Sequence, residues 1–439
     1  MLALLLGLPL IHRIDRERTL PDSLAEALLL GAFSLAVLLV PLGLFVPWSR
    51  AAYLALIIIA IGSVWFGGIG RVPQKRADPM SPVAVAVDLI TAVYVIGYVK
   101  YTHAAAVAQI DFINDWGLKG RVFFEHAGID WSFLRRSTLT SMHTDYPIAV
   151  PLTFDAVSLL AGRWSEGAIG VTYAVFGVAL TLLMRRELRA SGAAPPFRAI
   201  ATFVFVSVTL TPWVGLADAP FATFLTAGVL AIRRAHRTPS LDRGALLLGM
   251  TFLGCASLCK NEGIALIVVV AIALVLTRRF ESLSYMFIPV CFAGAWQIVR
   301  LSLHLRSDLT EGDVLRRAST ALACLPQLLG ELAHYSAAYR WMFVGVGVAL
   351  ILGVWNAAAR KEGFCLLIVA LQLMSYVAAY VVTPHDRAWH IKWSWERLVS
   401  HVTPMIVFVA MVSLSSVLSR VIAPRDEPAD VVNSQPAAS

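Results

Sequence analysis

Long apolar runs broken by short polar connections recur along almost the whole chain. Twelve of them read as membrane-spanning helices: 24–46, 52–70, 82–101, 166–184, 198–216, 219–233, 244–259, 263–277, 284–304, 341–358, 363–382 and 402–421. The runs 219–233, 244–259 and 263–277 are short for a lipid-facing span and require burial among neighbours. The apolar stub 1–11 is too short to span, which leaves a surface helix, a truncated span or a signal-anchor remnant open. The pattern predicts an all-α, polytopic membrane protein. Residues 1–81 form N-terminal extra membrane helices, 82–421 the main transmembrane domain, and 422–439 a cytoplasmic tail of disordered composition.

Composition agrees. Hydrophobic residues make up 58% of the chain and charged residues 15%, against about 45–50% and about 25% in soluble domains. With a mean hydropathy of +0.73, this excludes a cytosolic enzyme, a disordered chain and a disulfide-stapled secreted domain. The net charge of +8 does not indicate a nucleic-acid partner, because no solvated domain carries a basic stripe. The five Cys show no CxxC spacing and read as small packing residues. Lys and Arg crowd into 11–23, 71–81, 185–198, 233–243, 278–283, 359–362 and 420–439, which the positive-inside rule places in the cytoplasm. The long connections 100–165, 300–340 and 383–401 then face outward. The basic turns 184–198 and 233–243 read as orientation signals and anchors on anionic lipid.

Candidate chemistry gathers on the outward side. In the first large outer loop, 102–165, acids alternate with aromatics, and 148–163, with Asp155 and Arg163, reads as a helix lying at the membrane surface. Asp218 and Glu262 occupy the outer mouths of two tight helical hairpins. The segment 381–404 combines His385, His390, Lys392, Arg397 and His401 with three Trp. Cations beside interfacial Trp suit an anionic lipid headgroup, or equally an aromatic belt with snorkelling cations. Asp88, within VAVDLITAV, is the one clear intramembrane acid and reads as a helix–helix hydrogen-bonding residue.

Several of these stretches together resemble the GT-C membrane glycosyltransferases, most closely bacterial members related to protein O-mannosyltransferases and lipid A aminoarabinose transferases. They are Asp111–Trp116–Lys119, His143-Thr144-Asp145-Tyr146-Pro147, Asp218, Lys260-Asn261-Glu262-Gly263, and Trp389-His390 through Arg397 to Pro404. The resemblance covers about residues 82–420. It implies a polyprenyl-phosphate-linked sugar as donor, used at the outer face of the bacterial cytoplasmic (inner) membrane among membrane lipids, with a first-loop Asp as general base. Asp111 matches that base best, and Asp115, four residues on and on the same helical face, competes. Asp145, catalytic with Asp111 and Asp115, and His143 would shape the acceptor or donor-sugar pocket. Tyr146-Pro147 would fix the turn into the surface helix, and Trp116, Lys119, Tyr146 and Asp218 would bind substrate. Lys260, Arg397 and His390 would neutralise the phosphate, with Glu262 holding Lys260. A divalent metal is possible, since carboxylates, His143 and Glu125 could bind one. Two alternatives stand: an O-antigen polymerase or ligase acting on similar donors, and a secondary transporter.

Overall fold

The computed structural model describes residues 1–14, 19–66, 81–105, 109–136, 142–210, 214–237, 240–305, 321–337 and 362–422, with a few positions between 317 and 348. Every regular element among them is helical. The first group is α1 (Leu2–Ile14), α2 (Leu20–Val37), α3 (Leu39–Phe45), α4 (Arg50–Phe66) and α5 (Pro82–Ala104). The long loop then folds into a π-helical turn (Phe112–Trp116), α6 (Gly117–His126), α7 (Trp131–Leu134) and α8 (Ala149–Ala161). Next come α9 (Glu166–Ala190), α10 (Pro195–Thr209), α11 (Asp218–Ala235), α12 (Arg243–Ser257) and α13 (Glu262–Leu276). A 3₁₀ turn (Phe280–Met286) leads into α14 (Phe287–Ser302), followed by α15 (Ala321–Ser336), α16 (Gly363–Val382) and α17 (Arg387–Ile422). Caps mark several starts: Ser81, Ser165 and Asp242 accept the amides of Ala84, Ala168 and Ala245.

Six helices among the described residues are long and apolar enough to cross a membrane: Leu20–Phe45, Pro82–Ala104, Glu166–Ala190, Phe280–Ser302, Gly363–Val382 and Arg387–Leu418. Helix α5 exposes Leu89, Ile90, Val93 and Ile96 along its length, as a lipid-facing helix does. Of the other predicted runs, 244–259 and 263–277 form helices of 15 residues each, and 219–233 forms the 18-residue α11. The run 198–216 is helical only to Thr209, and residues 67–70 of the run 52–70 lie outside the described residues. The predicted span 341–358 lies mostly outside the described residues, as do connection 71–80 and the tail from 423.

Two expectations about the loops are corrected. The segment 383–401 is not an outer loop. From Arg387 it is part of a single helix that continues through Pro404. The ring of Pro404 removes the amide that would bond the Ser400 carbonyl. Nor does α8 lie open at a surface. It is mostly apolar and packs against α2, α6 and α9, burying Val150, Leu152, Phe154, Asp155 and Leu159.

The core centres on α11, which is buried on every side between α9, α12 and α17. The N-terminal helices join the same core: Phe33 of α2 meets Phe224 of α11 edge-on at 5.6 Å. Helix α1 docks on α2 at backbone contact. A Cβ at Gly7 would stand 1.9 Å from the Ala27 carbonyl oxygen, and one at Gly31 1.7 Å from that of Ala3.

Candidate functional site

Two clusters of charge occupy opposite ends of α11. Asp218 opens the helix and Arg233 lies fifteen residues on, about 22 Å along the axis at about 1.5 Å per residue.

The Asp218 cluster is built by chain reversals. Helices α12 and α13 are joined by the turn Leu258–Asn261, which delivers Lys260 beside Asp218. The turn is tight enough that a Cβ at Gly263 would fall 2.3 Å from the Ser257 Cα, which explains the glycine of the K-N-E-G stretch. Lys260 Nζ bridges Asp218 Oδ1 at 3.1 Å and Glu262 Oε1 at 2.9 Å. Burial alone would lower the pKa of Lys260, yet Asp218 and Glu262 outweigh it and hold the ammonium above its ordinary value. From α17, Arg397 reaches Asp218 Oδ2 through Nη2 at 3.0 Å and Nε at 3.3 Å, and its Nη1 bonds Asp111. One turn further along α17, His401 Nε2 donates to Asp218 Oδ1 at 2.8 Å. Its Nδ1 then accepts from the Tyr376 hydroxyl of α16, also at 2.8 Å. Asp218 is fully buried with three partners, whereas the Asp111 side chain is 33% exposed and Arg397 21%.

The H-x-D-Y-P turn locks onto this cluster. Asp145 Oδ2 accepts from the Asn261 amide at 2.8 Å, and the Asp145 carbonyl accepts from Trp296 Nε1 at 2.8 Å. Tyr146 stands half-buried among Glu262, Asp145, Asp115 and Arg397. Burial first, and those three carboxylates next, push its phenol well above the usual range, so it stays protonated. Trp116 packs edge-on to Tyr146 at 5.4 Å and His143 lies 5.0 Å from it.

Reach separates the predicted residues into two groups. Asp111, His143, Tyr146, Glu262, His390 and Arg397 retain exposure. Asp115 lies near Tyr146 in the same cluster but is far less reachable than Asp111. The π-helical turn carries it inward, where it is 2% exposed and pairs with Lys119 at 2.7 Å. Lys119 is fully buried, and its ammonium also donates to the His143 carbonyl. Lys119 and Trp116 are closed inside the packing of the loop, and Asp145, Asp218 and Lys260 are all under 5% exposed. His390 hydrogen-bonds Thr383 at 2.8 Å and lies within electrostatic reach of Glu262 and His143. Among the described residues, no group of three or more His, Cys, Asp or Glu is arranged to hold a metal ion. Glu125 instead pairs with Arg121 on the surface.

Beside Asp218 a narrow cleft of about 20 Å³, room for about one water, lies between α5, α9, α10, α11 and α17. Its walls are mostly apolar, with Tyr98, Phe176, Leu180 and Leu210 among them, and Ser400 and Pro404 line it from α17. Of the charged cluster, Asp218 alone lines it.

The other cluster corrects the reading of the basic turns as lipid anchors. Arg186 pairs with Glu26 and Glu187, Arg233 with Glu362 and Glu187, and Arg234 with Glu26 and Glu187. All three acids are at most 1% exposed. At its edge Arg189 pairs with Asp22, and Arg185 grips Asp88 with two hydrogen bonds, a helix–helix role as predicted for that acid.

Residue reading missed Tyr376, Trp296 and the acids Glu26, Glu187 and Glu362, and gave His401 no role of its own. A histidine one turn after an arginine was the available signal for His401. No family model, curated protein or solved structure matches the chain.

Proposed function

We propose that this protein is an integral-membrane glycosyltransferase. It would move a sugar from a polyprenyl-phosphate-linked donor to a hydroxyl of a lipid, glycan or protein acceptor at the outer face of the bacterial cytoplasmic membrane. One observation carries the reading. Asp111 and Arg397, 286 residues apart in sequence, meet over Asp218 at one end of a bundle of membrane-length helices. The pair places a reachable carboxylate beside a reachable guanidinium, the two charges that transfer from a phosphate-linked sugar requires.

In this reaction the acceptor hydroxyl gives its proton to the Asp111 carboxylate. Its oxygen bonds the anomeric carbon from one face while the carbon–oxygen bond to phosphate breaks on the other. The electron pair leaves on the phosphate oxygen, and Arg397 stabilises the growing negative charge there. Tyr146, kept protonated, offers a hydroxyl donor beside them. Lys260 takes a different part from the one its sequence suggested: engaged by Asp218 and Glu262, it fixes the anchor that aims Arg397. The membrane-length helices support a donor with a hydrocarbon tail, delivered from the bilayer.

The test is transfer from a polyprenyl-phosphate sugar in proteoliposomes. Asp111→Asn is expected to abolish transfer while leaving the thermal unfolding profile in place. Full activity in that variant would overturn the assignment. Substrate flux across the membrane with no transfer from any lipid-linked sugar would favour a transporter.

A further inference from the structure

The two carboxylates on Arg397 are unequal. Asp218 is sealed, accepts from two Arg397 nitrogens, and is itself fixed by Lys260 and by His401, which Tyr376 holds in turn. Asp111 contacts one nitrogen and has a third of its side chain exposed. It also sits at the edge of its element, as the residue before the π-helical turn. An anion approaching from the open side therefore meets a guanidinium whose Nη1 is already engaged by Asp111, the exposed one of its two carboxylates, and whose charge is already shared by both. Such an anion gains most by taking the place of Asp111, the exposed and singly bonded partner.

We propose that Arg397 is an exchange site. A phosphate ester anion takes the guanidinium nitrogen now held by Asp111, and its arrival releases the Asp111 carboxylate. This rests on the reading of Asp111 as base and Arg397 as phosphate receptor, and it adds an order to that reaction. Without a bound phosphate the base is held by Arg397 rather than turned to an acceptor. With it, the base is free and the leaving group is already held. The buried Asp218–His401–Tyr376 chain keeps Arg397 in place while its outward partner changes. Asp218, His401 and Tyr376 are positioning residues in this scheme, since none touches the anion.

Binding without turnover tests the exchange. The full chain in lipid nanodiscs is titrated with farnesyl phosphate, with farnesol and with inorganic phosphate, following the intrinsic fluorescence. The expected results are binding of farnesyl phosphate, loss of at least about tenfold in Arg397→Gln, and tightening of about three- to tenfold in Asp111→Asn. Tightening on removal of a carboxylate is the distinguishing result, because a residue that merely supports the site would weaken binding when changed. Arg397→Lys accompanies Arg397→Gln. It keeps the charge opposite buried Asp218 but loses the planar fork, so its affinity should fall even where the glutamine variant does not fold.

Unchanged or weaker binding in Asp111→Asn, with Arg397 still required, would overturn the exchange and leave the site reading standing. Farnesyl phosphate binding indifferent to both Arg397 variants, or no better than that of farnesol, would overturn both. Inorganic phosphate binding as tightly as farnesyl phosphate, and tightening in Asp111→Asn, would uphold the exchange but overturn a lipid-linked donor.

Discussion

The cluster far from the candidate site allows a sharp test of how the helices are held. Arg233 is 3% exposed and grips Glu362, 1% exposed, with both a terminal nitrogen and Nε, while its Nη1 reaches Glu187 at 3.2 Å. In Arg233→Met, Glu187 keeps Arg186 and Arg234, so Glu362 is the acid left without its partner. Methionine can occupy the space over the Phe408 ring that the guanidinium covers at 4.8 Å. The loss should then be almost purely that of an uncompensated buried charge, about 3–5 kcal/mol. Removing both members, as Arg233→Met with Glu362→Met, should recover most of it, since no charge is then stranded. The assay is unfolding in mixed micelles followed by tryptophan fluorescence. Arg121→Ala serves as control, because Arg121 and Glu125 pair at 2.9 Å with more than 60% of each side chain exposed; it should cost no more than about 1 kcal/mol. If Arg233→Met costs no more than that control, or the double variant costs as much as the sum of the singles, the cluster does not hold the helices in the way described.

Two further predictions concern the long loop. Asp155 is fully buried with neither carboxylate oxygen partnered, and burial pushes its pKa well above the ordinary value. A folded-state pKa above the unfolded value of about 3.9 means that stability is full below about pH 4 and falls as pH climbs toward the folded value, by at most about 1.4 kcal/mol per unit. Asp155→Asn never ionises, so its thermal stability between about pH 5 and pH 8 should vary less than that of the parent; an identical slope would show that Asp155 does not carry the effect. Lys119→Met strands Asp115 and frees the His143 carbonyl. It should cost about 3–5 kcal/mol and raise hydrogen exchange at 142–147, with Lys119→Met plus Asp115→Leu recovering most of the stability; unchanged exchange would refute the link between the two segments.

What the sequence made legible follows from the scarcity of charge. In a chain with so few ionisable residues, each one beside an apolar run stands out, and Asp111, Asp145, Asp218, Lys260, Glu262 and Arg397 do come together at one end of the bundle. Their facing was not legible. Asp111 and Asp115 look alike as letters, and the π-helical turn, with the buried ammonium of Lys119 as partner, is what turns one inward. Helix boundaries failed where polarity misleads. The segment 387–401 is rich enough in charge and Trp to read as a loop, yet Ile391, Trp395, Leu398 and Val399 bury a helical stripe against α15 and α16. Glu26 was hidden because one acid inside a long apolar run hardly alters its hydropathy, and its partners lie 160 and 208 residues away.

The two clusters use the same side chains and differ in closure. At the Arg233 end, Glu26, Glu187 and Glu362 are matched by Arg186, Arg233 and Arg234, and the three acids are shut away from solvent. At the Asp218 end, Asp111, Asp218 and Glu262 share Lys260 and Arg397, and exposure is concentrated on Asp111, Arg397 and Glu262. A sealed and balanced set can serve only cohesion, because any new partner would strand a charge already satisfied. An open set with fewer cations than anions has a carboxylate that can change partners without stranding anything, since water replaces what it loses. Charge removal should therefore separate the two ends. In Arg233→Met it lowers stability and leaves farnesyl phosphate affinity unaltered, whereas in Asp111→Asn it raises that affinity and spares stability.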